Sequence, residues 1–423
     1  MQIKIYPGMA KNVSLAVPAS KSLSHRYLLA ASLAQGKSIL SHVAENLDVQ
    51  ATKNCLMHLG ITMREINSCA EIGGREQFCY DGTVLDCGES GSTLRFLMPV
   101  AALCKNPVHF TGHGRLLKRP LDIYQQLGAF AYDRNDQEIV VRGPLKAGSY
   151  VVDGSISSQF LTGLLFSLPL VRGNSELYIQ PPIVSKPYLD MTISVLKECG
   201  IFVAVEGMHL SVPGNQHFHP LVKAIEGDMS AAAFFAVLAV LCGSTVMLQN
   251  LNVHSWQADR ALFSILEKNG AHVEMNPVQI SGKVRSLQEV DLKNCPDLGP
   301  ILFVLASQCE TRTVFLHTNR LRMKESDRLE NMYDELGRLG ISMEVKEDKV
   351  IIYPGRLHGN VHLSGHEDHR IVMALAIAAV CADGPVVIHG YEAVAKSYPS
   401  FFEDLRRCGV EMEKETQNEN HGD

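Results

Sequence analysis

Six times along this chain an apolar stretch rich in small residues ends in a short turn and runs into a β-rich segment. The copies are SHRYLLAASLAQGKSIL, STLRFLMPVAALCKNPVHF, SSQFLTGLLFSLPLVRGNSELYI, MSAAAFFAVLAVLCGSTVML, LGPILFVLASQCETRTVFL and HRIVMALAIAAVCADGPVVI. Their matching strand positions, Ile39, Val108, Leu177, Val246, Val314 and Val386, lie 69, 69, 69, 68 and 72 residues apart. A second series keeps the same step: MHLGIT, QQLGAF, KECGIF, EKNGAH, GRLGIS and RRCGVE, with Gly60, Gly128, Gly200, Gly270, Gly340 and Gly409 separated by 68, 72, 70, 70 and 69. Each glycine suits the position just past a helix end, where the left-handed conformation is cheap without a Cβ. Six units of about 70 residues therefore fill the chain, a period longer than that of common solenoids. Each unit predicts one buried apolar helix, one amphipathic helix and several strands. Pro99 predicts a kink or early end in the second apolar helix.

A chain of 423 residues exceeds what one simple core can hold. Its 46% hydrophobic and 20% charged content is ordinary for a soluble protein. A net charge of −6 speaks against a nucleic-acid binder, so any anion site must be a local gathering of Lys and Arg. Eleven scattered cysteines without a CxxC pair read as reduced thiols in a cytoplasmic protein. MQIKIYPG alternates like a strand, not a signal peptide, and the apolar run Ala231 to Cys242 is too short to span a bilayer. The polar tail from Glu413 is expected to fray.

The helix starts carry the unusual residues. The apolar series opens with PASKSLSHR, GESGSTLR, GSISSQF, EGDMSA, CPDLG and EDHR, and the amphipathic series includes KRPLD, SKPYLD, MKESDRL and AKSYP. Ser20, Ser92 and Ser326 read as helix caps, and Pro120 and Pro187 suit a first helical turn. The cations are different. Lys21, Arg26, Arg95, Arg119, Lys186, Lys324, Arg328, Arg370 and Lys396 gather at the end of the helix dipole that disfavours positive charge. Their recurrence across units points to an anionic ligand, because helix N–H groups and Lys/Arg together bind phosphate or carboxylate. Two acids stand among them. Asp297 could be a cap and Glu325 an ion-pair partner, but an anion trap gains nothing from carboxylates, whereas proton transfer needs them. His362, His366 and His369 could suggest a metal, but Arg370 beside them argues against a bound cation.

These segments, in order over nearly the whole chain, resemble the 5-enolpyruvylshikimate-3-phosphate synthase family of enolpyruvyl transferases. PASKSLSHR (18–26) is similar to that family's PGSKSxSNR signature; VDGSISSQF (152–160), SKPY (185–188), Pro296 with Asp297, KESDR (324–328), DHR (368–370) and Ala395 with Lys396 match as well. Ala19 and His25 depart from the expected Gly and Asn, and Glu89 stands where the family often has Asn. The resemblance implies an α/β, two-lobed fold with three βαβαββ repeats per lobe. One lobe would hold residues 1–18 plus 228–423, the other 19–227, with the active site in the interlobe cleft.

The resemblance also implies a reaction of aromatic amino acid biosynthesis: transfer of the enolpyruvyl group of phosphoenolpyruvate to the 5-hydroxyl of shikimate 3-phosphate, releasing phosphate through a tetrahedral intermediate. Shikimate 3-phosphate would be held by Lys21, Ser22, Arg26, Ser157, Ser158, Gln159, Ser185, Tyr188, Asp297 and Lys324. Phosphoenolpyruvate would be held by Lys21, Gly91, Arg119, Gln159, Arg328, Arg370 and Lys396, with a Cβ at Gly91 crowding it and bulkier mimics such as glyphosate. Asp297 is the candidate base for the hydroxyl. Glu325 and Lys21 compete for the carbon proton, with Lys396 assisting. No metal, cofactor or covalent nucleophile is required, and a cytoplasmic monomer without nucleic-acid or membrane partners is expected. Two other readings stay in view: a UDP-N-acetylglucosamine enolpyruvyl transferase, which would lack the SSQF and SKPY segments, and a non-catalytic polyanion-binding repeat protein.

Overall fold

A computed structural model describes residues 1–67, 69–155 and 157–415. The chain divides into two compact units, Met1–Pro18 with the chain from Gly227 onward, and Ala19–Glu226. Each has its own apolar core. Gly227, expected with the other lobe, belongs to the first because its N–H donates to the Asn250 carbonyl at 2.7 Å.

The period seen in the sequence is the period of the fold. Twelve α-helices occur among the described residues: α1 (Lys21–Leu33), α2 (Leu47–His58), α3 (Gly91–Ala101), α4 (Asp122–Leu127), α5 (Ser158–Ser167), α6 (Lys186–Glu198), α7 (Met229–Cys242), α8 (Ala261–Lys268), α9 (Gly299–Ser307), α10 (Arg328–Arg338), α11 (His369–Val380) and α12 (Phe401–Arg407). The odd-numbered helices are the apolar series. In α7 and α11 nearly every residue is buried, so these helices are covered on all sides. The even-numbered helices bury one face, as in α10, where Leu329, Met332 and Leu336 turn inward. All six helix-ending glycines have φ between +62° and +107°. At Gly340 (φ +89°) a Cβ would also sit 2.4 Å from a ring carbon of His358, so glycine is required there twice over. The 11-residue α3 ends just past Pro99, whereas the proline-free α7 runs 14 residues.

Six four-stranded sheets share one topology among the described residues. In the sheet of Leu85–Asp86, Val108–Thr111, Ile139–Arg142 and Ala131–Arg134, the first pair is parallel and the other pairs antiparallel. Helices α3 and α4 lie in the crossovers, giving βαβαββ. Three sheets borrow strands from distant sequence. Val13–Ala16 pairs in parallel with Val246–Gln249, and Gln2–Ile5 lies between Val386–His389 and Met412–Glu415. In the other unit Val222–Ala224 pairs in parallel with Gly36–Ser41. The strands near the chain start and the crossing thus complete one or two sheets in each unit. Fraying is expected from Glu413, but Met412–Glu415 is a strand; the rest of that expectation falls on residues 416–423, which lie outside the described part.

Two of the expected caps are displaced. Ser20 caps α1 through Leu23 N, but Ser90, not Ser92, caps α3, and Asp327, not Ser326, caps α10. The serines passed over serve long-range partners: Ser92 accepts from Gln159 Nε2 at 3.0 Å and Ser326 donates to Asp368 at 3.0 Å. Pro187 lies in the first turn of α6, while Pro120 precedes Leu121, the N-cap of α4, and so stands outside that helix. No helix is long and apolar enough to cross a membrane among the described residues.

Candidate active site

In the unit that contains both chain ends, the starts of α10 and α11 meet the turn before α9. Arg328 opens α10 with 1% of its side chain exposed, and three carboxylates surround it. Nε donates to Asp368 Oδ2 at 2.8 Å, Nη1 to Asp297 Oδ1 at 2.8 Å and Nη2 to Glu325 Oε2 at 2.7 Å. Asp368 is buried and also caps α11 through Arg370 N. The arginine in that helix's first turn thus has its own backbone amide tied to an acid, while its guanidinium lies 3.5 Å from Asp297 Oδ2. Lys324 Nζ is 3.0 Å from Asp297 Oδ1. The expected residues Asp297, Lys324, Glu325, Arg328 and Arg370 are therefore one cluster. Asp297 sits in a 3-10 turn, not at a helix cap.

The fields inside this cluster are strong. Burial alone would raise the Asp297 carboxyl, but Arg370, Lys324 and Arg328 overturn it and hold the group well below the usual carboxylate range. Burial would lower Arg328, yet Asp368, Glu325 and Asp297 raise it. Lys324 is lowered by burial and by Arg320 and Arg328, against Asp297. Lys396 Nζ donates to the Glu367 carbonyl at 2.7 Å. That carbonyl is turned out by two successive left-handed residues, His366 (φ +48°) and Glu367 (φ +54°). His362 bonds His389, and His366 bonds Glu335 Oε1 at 2.8 Å, so these histidines serve separate partners.

The other unit gathers cations with neutral groups. An ideal Cβ on Gly91 would lie 2.8 Å from Arg119 Nη1, 3.5 Å from Arg95 Nη1 and 3.6 Å from Gln159 Oε1, which places Gly91, Arg119 and Gln159 together at the start of α3. Gln159 is fixed at both ends, accepting from Arg95 Nη1 at 2.6 Å and donating to Ser92 at 3.0 Å. Arg119 Nε is buried without a hydrogen-bond partner. Ser157 caps α5, whose first residue is Ser158. Ser185, in the left-handed region (φ +57°), precedes α6, where Tyr188 completes the first turn. Arg26, expected at the ligand, is buried and bonds Thr192 Oγ1 at 2.9 Å and the carbonyls of Ser22 and Tyr188 at 2.8 and 3.2 Å. It ties α1 to α6, and burial pushes it down to about 10. Glu89 lies against Gly114, with Oε2 3.0 Å from where a Cβ there would be.

Several residues were missed from the sequence. Asp48 holds Lys21 Nζ at 2.8 Å. Thr52 joins His25 and Thr93, each at 2.7 Å, and Thr93 continues to Ser90. This chain of hydroxyls braces α1, α2 and α3, with His25 kept neutral by burial first and by Lys21 and Arg26 second. Nothing local marks Asp48 or Thr52, because their partners are tens of residues away. Arg95 and Asp368 were legible, since each lies inside a quoted helix start.

Repeated βαβαββ units whose helix starts gather buried cations and acids define an anion-handling enzyme, not an inert repeat scaffold. A profile of the family described as EPSP synthase (3-phosphoshikimate 1-carboxyvinyltransferase) matches residues 6–405, and the chain belongs to that family. Among its relatives is the 3-phosphoshikimate 1-carboxyvinyltransferase of Clostridium botulinum strain Alaska E43, 37% identical over 421 residues, covering 96% of this chain and 97% of the relative. That of Clostridium kluyveri is 38% identical, covering 94% and 95%. Solved structures of EPSP synthase from Acinetobacter baumannii superpose with a TM-score of 0.80 at 26% identity, over 98% of this chain and 100% of theirs.

Proposed function

We propose that this chain transfers the carboxyvinyl group of phosphoenolpyruvate to the 5-hydroxyl of shikimate 3-phosphate and releases phosphate. One observation carries the reading beyond family membership: Asp297 is a half-buried, ionised carboxylate inside a cationic cluster. A pure anion binder would omit it; a proton-transfer enzyme needs it.

The hydroxyl proton passes to Asp297 as the oxygen bonds to C2 of phosphoenolpyruvate, while the methylene carbon takes a proton from Glu325 or Lys21, with Lys396 assisting. The resulting ketal then returns the carbon proton and expels phosphate from C2, restoring the double bond as an enol ether. Arg119, Arg328, Arg370 and Lys396 steady the carboxylate and departing phosphate. Lys21, Ser22, Arg26, Ser157, Ser158, Gln159, Ser185, Tyr188 and Lys324 hold shikimate 3-phosphate, and Arg26 also bonds the carbonyls of Ser22 and Tyr188. Gly91 leaves room beside the phosphoenolpyruvate group. The proposal extends to a cytoplasmic enzyme, supported by eleven cysteines of which none is in a disulfide, and, on resemblance alone, to a monomer.

The test is phosphate release from phosphoenolpyruvate with and without shikimate 3-phosphate. Release that requires both substrates is expected; release that ignores shikimate 3-phosphate, or none at all, contradicts the proposal.

A further inference from the structure

Asp259 is a buried acid for which the reaction above has no use. It sits in the 3-10 turn Ala258–Arg260, packed behind the start of α7, with 1% of its surface exposed. The Ser230 hydroxyl donates to Oδ2, but Oδ1 is buried with no hydrogen-bond partner. A carboxylate oxygen left so is costly and calls for a donor. Burial, and then repulsion from Asp297, push the carboxyl up to about 6 against the attraction of Arg370.

Arg370 has the opposite shortage. Its guanidinium is buried, yet its contacts with the Asp297 carboxylate and carbonyl are both 3.5 Å, at the outer limit for such bonds. The other acids near it are committed. Asp228 accepts from Ser230 N and Ala231 N at 2.8 and 3.0 Å, and Asp368 accepts from Arg328, Ser326 and Arg370 N. Among the carboxylates whose field reaches Arg370, Asp259 is the one with a buried oxygen that lacks a partner.

We propose that Asp259 is the positioning residue for Arg370. When the anionic substrate enters, the guanidinium leaves Asp297, docks one edge on Asp259 Oδ1 and presents the other edge to the substrate's carboxylate or phosphate. A planar guanidinium grips an anion through two parallel N–H groups, and holding its remaining donors elsewhere fixes which edge faces the anion. The move also takes one of three cations off Asp297, which must gain basicity to accept the hydroxyl proton. The inference rests on the carboxyvinyl-transfer reading.

Two measurements on the full chain test it. In steady-state kinetics Asp259→Asn should raise KM for phosphoenolpyruvate about ten-fold and lower kcat about ten-fold, with KM for shikimate 3-phosphate changed less than about two-fold. Equal change in both KM values, or no change in either, overturns the proposal. The second is a crystal structure of the wild-type chain with shikimate 3-phosphate and glyphosate, which decides even if the variant does not fold. An Arg370 nitrogen within about 3 Å of Asp259 Oδ1 is expected; Oδ1 still without that donor overturns the proposal. Wild-type protein that fails to release phosphate from the two substrates together overturns the functional reading and this inference with it, whereas an active wild type with an unaffected Asn variant overturns the inference alone.

Discussion

The two units repeat one architecture three times each, yet they treat charge differently. In the unit with both chain ends, Arg328 is met by Asp297, Glu325 and Asp368 and Lys324 by Asp297, while Lys396 donates to a carbonyl. In the other unit, Arg26 bonds hydroxyls and carbonyls and Arg95 bonds an amide and a carbonyl, while Lys21 pairs with Asp48 and Lys186 with Asp190. Neutral partners leave a cation's field available to an incoming anion. Carboxylate partners cancel much of that field but supply groups that carry protons. On the proposed reading, the acids Asp297 and Glu325 of the first set would carry protons, while the neutral groups around Arg26 and Arg95 would leave more of the field for binding.

The sharpest way to break this contrast is Asp297→Asn. Loss of the base should lower kcat about a thousand-fold, with affinity for shikimate 3-phosphate, measured by calorimetry, little changed. Asp368→Asn should act on stability, because it leaves part of the buried Arg328 charge unmatched; a loss of about 3 kcal/mol is expected in chemical denaturation. Asp368 is held below the ordinary range despite burial, chiefly by Arg328. Its contribution is therefore complete above the ordinary carboxylate value near 4 and is lost as pH falls through the lower folded value. The gap between wild type and Asp368→Asn should close in acid.

Asp259 has the reverse sign. Its folded value near 6 lies above the ordinary one, so protonation favours the folded state, and its ionised form weakens the fold above pH 6. Asp259→Asn should thus be more stable than wild type at pH 8, on the order of 2 kcal/mol, with the advantage gone at pH 4. The smallest effect belongs to the neutral set. Gly91→Ala places a methyl 2.8 Å from Arg119 Nη1; the arginine end can yield, so KM for phosphoenolpyruvate should rise only about ten-fold, with kcat nearly unchanged.

Much of this was legible in sequence because it is periodic or local. The apolar stretches, the six glycines and the charged helix starts each recur with the 70-residue step, and each obeys a rule of helix geometry that does not depend on distant chain. What escaped depends on distance. Ser92 and Ser326 can cap a helix as well as Ser90 and Asp327 can, and long-range partners alone decided which did. The bonds of Arg26 to Thr192 and to the Ser22 and Tyr188 carbonyls, two of them across more than 160 residues, likewise have no local mark. Asp48, Thr52 and Asp259 lie on elements that no motif marks, and they matter only through side chains brought to them by the fold.

The division of labour is tested most directly by measuring binding and turnover together on one protein in which both acids are neutral, Asp297→Asn with Glu325→Gln. Calorimetric affinity for shikimate 3-phosphate within about three-fold of wild type, with phosphate release slowed more than a hundred-fold, is the predicted result. Phosphate release at the wild-type rate would show that the acids merely balance charge, and the account would be wrong.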